Sequence, residues 1–228
     1  MHDPFTAETC FHPQAHAVHR GKNHRIVGDL NRDRHADDMF RIEDFYGRGI
    51  WKDNAHLTNE EKALAIEKFW APFRDEIRKS FFEVRDMGHK KILFIDHHNT
   101  ATDHPANRGQ YLPPINLGNF GNRSGNLLEE PLSATPEVIN AFQGYLREEL
   151  PEIDIEMNAV YKGSSLVRFV RDEIAEEMAG SEINAIHLEY NLNLIFNPLS
   201  KEIDERAKRS LHEGINRGIN ALIENYFL

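Results

Sequence analysis

The chain has 228 residues, 40% of them hydrophobic, a formal net charge of −10 and a single cysteine. That length suits one domain that buries its core without staples, and the lone Cys10 cannot close an internal disulfide, so nothing argues for an oxidising compartment. Net negative charge repels nucleic acid and anionic membrane at long range. No apolar run approaches the roughly 18 residues of a membrane span, and the first ten residues lack the basic start and apolar middle of a signal peptide. The expectation is a soluble, cytoplasmic protein whose partner is a small molecule, with no role for nucleic acid or membrane. Histidine is abundant, at 13 residues, but many lie near the start, and richness alone is a weak metal signal.

In chain order, residues 1–24 show no periodicity. His24 to Leu30 reads as a short strand, followed by a polar loop from Asn31 to Asp38. Thr58 and Glu61 form a capping-box pattern. Apolar residues at Ile66, Phe69, Trp70, Phe73, Ile77, Phe81 and Val84 then recur at helical spacing until Gly88. Lys91 to Ile95 reads as a buried strand that runs out at Asp96-His97-His98-Asn99. Residues 99–134 are rich in Gly, Pro and Asn, and a long irregular segment of this kind is often functional. Thr135-Pro136 opens a helix to about Leu150. Ile155 to Tyr161 alternates as a strand, and Ser165 to Met178 is an amphipathic helix closed by Gly180. Ile183 to Tyr190 is another strand, and a helix over about Lys201 to Asn225 finishes the chain. Strands alternating with helices imply an α/β fold: a single domain over residues 1–228, a three-layer sandwich around a mixed, mostly parallel sheet.

Ligands of such sheets bind beyond the carboxyl ends of the strands. That rule picks out Asp96, His97 and His98, then Asp29, Asn31 and Arg32, and finally Glu189, a carboxylate in an otherwise apolar run where burial is costly without a partner or a task. Three strands thus deliver a His, a Glu and an Arg to one sheet edge. The chemistry this suits is hydrolysis. A metal held by imidazole and carboxylate lowers the pKa of its water, a glutamate moves the proton, and an arginine grips a substrate carboxylate. Bland readings stand beside each piece: a turn or cap for Asp96-His97-His98, a structural pair with Arg168 for Glu189, and a surface ion pair for Arg32.

These residues resemble the N-formylglutamate amidohydrolase family. Arg25-Ile-Val-Gly-Asp-Leu-Asn-Arg32 is similar to its R-x-V-x-D-L-N-R segment, and Phe69-Trp70-Ala71-Pro72-Phe73 to its aromatic-Trp-x-Pro-aromatic helix. Asp96-His97-His98-Asn99 sits at its D-x-H-S, and Asn116-Leu117-Gly118 at its N-L-G loop. Asn158 to Arg168 resembles its N-x-x-[FY]-K-G-G-x-x-x-R segment, and His187-Leu188-Glu189 its Q-L-E strand. The resemblance implies a fold like that of zinc carboxypeptidases and aspartoacylases and one zinc ion per chain, with His98 as a ligand and Glu189 as the general base. It implies Asn31 and Arg32 as carboxylate binders, helped by Arg168.

The departures carry information of their own. Nothing matches the family's opening P-H-S-G-like segment, whose histidine is a zinc ligand. Asp3 lies near the spacing of the family's acidic ligand; in that role it implies that the first strand is missing, and otherwise it is an ordinary terminal residue. His2, His12 and His16 are candidate substitutes for the missing ligand. Arg74 stands where the family has His, Asn99 where it has Ser, and Ser164 where it has Gly. The function expected is a zinc-dependent amidohydrolase acting on an N-acyl amino acid such as N-formyl-L-glutamate. The alternatives are a catalytically impaired relative that binds an amino-acid-like ligand, and a deacylase for another N-acyl amino acid.

Overall fold

In the computed structural model, which describes residues 12–13, 15–20, 28–43, 49, 56–100, 111–197, 200 and 202–228, Thr58 starts the first helix as its capping box requires. Its hydroxyl accepts from the Glu61 N–H at 3.2 Å, and the Glu61 carboxylate accepts from the Thr58 N–H at 2.8 Å. Helix α1 (Asn59–Ala65) passes through a π turn (Ile66–Trp70) into α2 (Ala71–Asp86). Pro72 lies just past that turn; it has no N–H to give, so the wider turn falls where the α ladder is already interrupted. Gly88, at φ 95°, lets the chain leave the helix.

Strand β1 (Lys91–Thr100) is followed by β2 (Ile115–Gly118), α3 (Pro136–Glu149) and β3 (Ile155–Met157). Next come α4 (Ser165–Phe169), a π turn (Val170–Ile174), α5 (Ala175–Glu177) and β4 (Glu182–Asn191). A short ribbon of β5 (Phe196–Asn197) and β6 (Glu202–Ile203) precedes α6 (Glu205–Tyr226). The main sheet has the order β1-β4-β2-β3, with β1 parallel to β4, β2 parallel to β3, and β2 antiparallel to β4. It is the mixed, mostly parallel sheet expected.

Side chains alternate across this sheet, and two apolar layers result. Leu93 and Ile95 of β1, with Ile186, Leu188 and Tyr190 of β4, face α3 and α6 through Phe142, Leu146, Leu211 and Ile215. Ile92 and Phe94, with Ile183 and Ala185, face α2 and α4 through Ile77, Phe81, Val167 and Phe169. The architecture is therefore three layers, helices on both sides of the sheet. None of the described helices is long and apolar enough to cross a membrane.

Three elements differ from the sequence expectation. Strand β1 does not stop at Ile95: parallel pairing with β4 carries it on to Thr100, opposite Asn191. Strand β3 ends early because Asn158 adopts φ 50°, leaving the extended region. Helix α6 begins at Glu205, since Asp204 is its N-cap and accepts from the Ala207 N–H at 2.9 Å. The strand expected at His24 to Leu30 falls largely outside the described residues.

Gly118, the last residue of β2, has no room for a side chain. A Cβ there would lie 2.6 Å from the Lys162 carbonyl oxygen and 2.8 Å from that of Tyr161, both backbone atoms that cannot swing away. Gly118→Ala is expected to lower unfolding stability by about 1–3 kcal/mol, as overpacking does, read from the urea midpoint at unchanged slope.

Candidate functional site

The β1–β4 register sets the site. It places Asp96 opposite His187 and His98 opposite Glu189. Because the strands are parallel and side chains alternate, these four groups stand on one face of the sheet. They continue the rows that begin as Ile92 and Phe94 on β1, and Ile183 and Ala185 on β4. The same face thus changes from apolar to ionisable at the carboxyl ends of both strands. His97 goes to the opposite face, edge-on to the Tyr190 ring with centroids 5.5 Å apart. Burial, helped by the neighbouring His98, pulls its imidazole down to about 3, so it is neutral.

Asp96 is the hub. His98 Nε2 lies 3.0 Å from its Oδ1, His187 Nδ1 lies 3.6 Å from its Oδ2, and the Ser164 hydroxyl donates to Oδ2. Burial alone would raise this carboxyl, but the His98 charge and the close approach of the His187 and His98 imidazoles outweigh it and hold Asp96 well below the usual carboxylate range. His187 Nε2 is 2.8 Å from Glu189 Oε2. Burial would lower the His187 pKa, yet the adjacent Asp96 and Glu189 carboxylates raise it. One ligand atom from each of Asp96, His98 and His187 lies within 4.8 Å of the others, a set able to hold a metal ion.

Two details show that this donor set fits a divalent cation. The buried His187 Nδ1 has no hydrogen-bond partner. His98 Nε2 faces two groups with opposite demands: the Asp96 carboxylate, which only accepts, and the Asn31 amide nitrogen at 3.1 Å, which only donates. The amide orientation is fixed, because Asn31 Oδ1 accepts from the Leu166 N–H at 3.2 Å. Two imidazoles and an ionised carboxylate are ligands that suit zinc.

The cluster is supported by the 29–32 turn, by Trp70 and Arg74, and by Asn116 of β2. In the turn at 29–32, the Arg32 N–H donates to the Asp29 carbonyl at 3.0 Å and the Asn31 N–H to Asp29 Oδ1 at 3.1 Å, which aims the Asn31 amide at His98. Trp70 Nε1 and Arg74 Nη2 both donate to the Arg32 carbonyl, at 2.8 and 3.3 Å. Arg74 is buried between the rings of Trp70 and Phe169, at 4.3 and 4.6 Å from their centroids, and donates to Ser165 Oγ at 2.9 Å. Burial draws its guanidinium down to about 10. Asn116 on β2, opposite Glu189, accepts from Ala159 N–H at 3.0 Å and donates to the Tyr161 carbonyl at 2.6 Å. That holds the Tyr161 ring edge-on to His187, centroids 6.3 Å apart.

A family model described as N-formylglutamate amidohydrolase matches residues 2–196. The chain belongs to the N-formylglutamate amidohydrolase family. Two solved structures share the fold of this amidohydrolase-family chain. A gene product of Agrobacterium tumefaciens superposes with a TM-score of 0.58 at 15% identity, covering 87% of this chain and 68% of its own. An N-formylglutamate amidohydrolase of Ralstonia eutropha superposes at 0.55 with 17% identity, covering 78% of this chain and 59% of its own. The chain thus spans about three fifths of that second relative. Among curated proteins none matches.

Of the residues singled out in the sequence, His98 and Glu189 lie side by side in this cluster, and Asn31 reaches it through its amide. Arg32 contributes its carbonyl to the Trp70–Arg74 clamp, while its guanidinium pairs with Asp38 at 2.6 Å. Arg168 stands at the surface, half exposed, donating to Glu130 at 3.0 Å. The pairing of Glu189 with Arg168 is not the one found: Glu189 pairs with His187. Asp3 and His2 fall outside the described residues, and His16 is tied to Glu83 at 3.2 Å.

Sequence reasoning placed Asp96 at a strand end without giving it a ligand role, and read His187 only as a family position. The signal was present, since Asp96-x-His98 and His187-x-Glu189 both have the two-residue spacing that puts a pair on one strand face. Ser164 was noted only as a replaced glycine. It is the N-cap of α4, accepting from Val167 N–H at 3.0 Å, and its hydroxyl holds Asp96. Ser164→Ala removes both contacts, and a stability loss of about 1–3 kcal/mol is expected by chemical denaturation.

Proposed function

We propose that this chain is a zinc-dependent amidohydrolase that removes the acyl group from an N-acyl amino acid, with N-formyl-L-glutamate as the substrate of reference. One observation carries the proposal: in a chain of this family, Asp96, His98, His187 and Glu189 converge on one sheet face. The metal would be held by Asp96, His98 and His187. A bound zinc ion supplies Lewis-acid polarisation of a carbonyl and a water of lowered pKa.

The residues of the chain do the rest. Glu189, whose side chain is 12% exposed, keeps contact with solvent at the rim of the cluster. It takes the proton from the attacking water as oxygen adds to the acyl carbon, and returns it to the amine nitrogen as the C–N bond breaks, so formate and glutamate leave. The Asn31 amide, fixed by Leu166, presents a donor beside the reacting group. Arg32 and Arg168 are the carboxylate-binding candidates. For Arg32 this role requires a substrate carboxylate to displace Asp38, an exposed partner whose loss costs little. Arg168 would exchange Glu130 in the same way. Positioning of this kind supplies several kcal/mol of a barrier.

The test is formate release from N-formyl-L-glutamate by the purified chain. Activity is expected to vanish with a chelator and return with zinc, and Glu189→Gln is expected to lower kcat by about 10²–10⁴-fold with KM little changed. Activity untouched by metal removal would sink the reading. Arg32→Ala is expected to raise KM by about 10–100-fold, the equivalent of one charged hydrogen-bonded pair, and an unchanged KM would remove Arg32 from substrate binding.

A further inference from the structure

We propose that His187 works from both ends of its ring: Nδ1 completes the metal site, and Nε2–H orients the general base. The proposal rests on the metal-dependent reading above and adds to it a specific physical link between ion and base.

The geometry points to this division of labour. Glu189 Oε2, 2.8 Å from Nε2, can only accept, so that nitrogen carries the proton. In the neutral form that binds a metal, the lone pair then sits on Nδ1, which is buried, has no hydrogen-bond partner, and is turned toward Asp96 Oδ2 at 3.6 Å. Nδ1 is also the ring nitrogen that faces Asp96, whose carboxylate belongs to the same ligand set. The ring is 3% exposed and wedged between His98, at 5.3 Å between centroids, and the edge-on Tyr161. It cannot rotate to exchange its two nitrogens without moving both. Metal-bound imidazoles are commonly steered by a carboxylate on their far nitrogen, which fixes the tautomer and makes the ligand more basic. Here that carboxylate is the base itself. Its Oε2 is engaged by the ring, which leaves Oε1 for the proton of water.

A glutamine at position 187, the residue of the family's Q-L-E strand, also has an acceptor and a donor, but its amide oxygen is a poorer zinc ligand than an imidazole nitrogen. In this chain the imidazole supplies that ligand from the middle of the sheet.

The experiment measures zinc affinity by chelator competition, with the cobalt-substituted absorption spectrum as a second readout, for the wild-type chain, His187→Gln and Glu189→Gln. Glu189→Gln is expected to weaken zinc binding by about 10–100-fold, as loss of a carboxylate behind a metal-bound imidazole does, while leaving the cobalt spectrum of the wild type. His187→Gln is expected to weaken it further and to change that spectrum. If Glu189→Gln binds zinc as tightly as wild type, the link between ion and base is overturned while the metalloenzyme reading stands. Wild-type affinity in His187→Gln overturns the ligand role. A wild-type chain that takes up no zinc overturns both this proposal and the function above. Should His187→Gln fail to fold by circular dichroism, the isosteric Glu189→Gln decides alone.

Discussion

The parallel pairing of β1 with β4 is the constraint on which everything else in this protein rests. A shift of one residue in that register would turn each affected side chain to the other face, sending Asp96 and His98 into the α3–α6 core and leaving Leu93 and Ile95 beside α2 and α4. The register is held by the apolar halves of the two strands. Ile92, Phe94, Ile183 and Ala185 are locked under α2 and α4, and Leu93, Ile95, Ile186 and Leu188 under α3 and α6. Burial of those residues, at about 25 cal/mol per Å² of apolar surface, is what keeps two imidazoles and two carboxylates together. Their polar ends come together because their apolar ends cannot slip.

Around that frame, short polar side chains shape the irregular segments. Asn119 donates to the carbonyls of Gly125 and Ala134, both at 2.9 Å, and its Oδ1 accepts from Gly121 N–H at 3.1 Å and from Asn158 Nδ2 at 2.9 Å. Asn158 in turn reaches the Asn122 carbonyl at 2.7 Å. These buried amides satisfy backbone groups that no strand or helix could reach. They let the glycine- and asparagine-rich stretch after β2 fold tightly against the end of β3. The Arg74 guanidinium does the comparable task on the other side. It links the 29–32 turn, which carries Asn31, to the start of α4, which carries Ser164. Two chain segments that each contact the Asp96–His98 pair are thereby tied to one buried cation.

The electrostatics of the cluster follow from its burial. Asp96 stays ionised in spite of desolvation because imidazoles surround it, and at His187 the flanking carboxylates raise the pKa against the pull of burial. His97, one residue away but on the apolar face, remains neutral because burial and the His98 charge outweigh the pull of Asp96.

Much of the fold was legible from residue patterns. The capping box at Thr58 and Glu61, the Thr135-Pro136 helix start and the β-rich run at 183–190 depend on near neighbours, and local chemistry decides them wherever the chain goes. The ordered segments Asp29–Arg32, Asp96–His98 and His187–Glu189 likewise pointed to the family and to His98 and Glu189. What residue order could not decide was which groups touch. Asp96 and His187 are 91 positions apart, and their proximity comes from the parallel register. The fate of Arg32 depends on Asp38, and that of Arg168 on Glu130, both fixed by how loops lie against the sheet. Sequence determines the period of each element and so the face each side chain takes. Only the tertiary packing of those faces brings an Asp-x-His and a His-x-Glu together, because burial of the apolar rows is a property of all the layers at once.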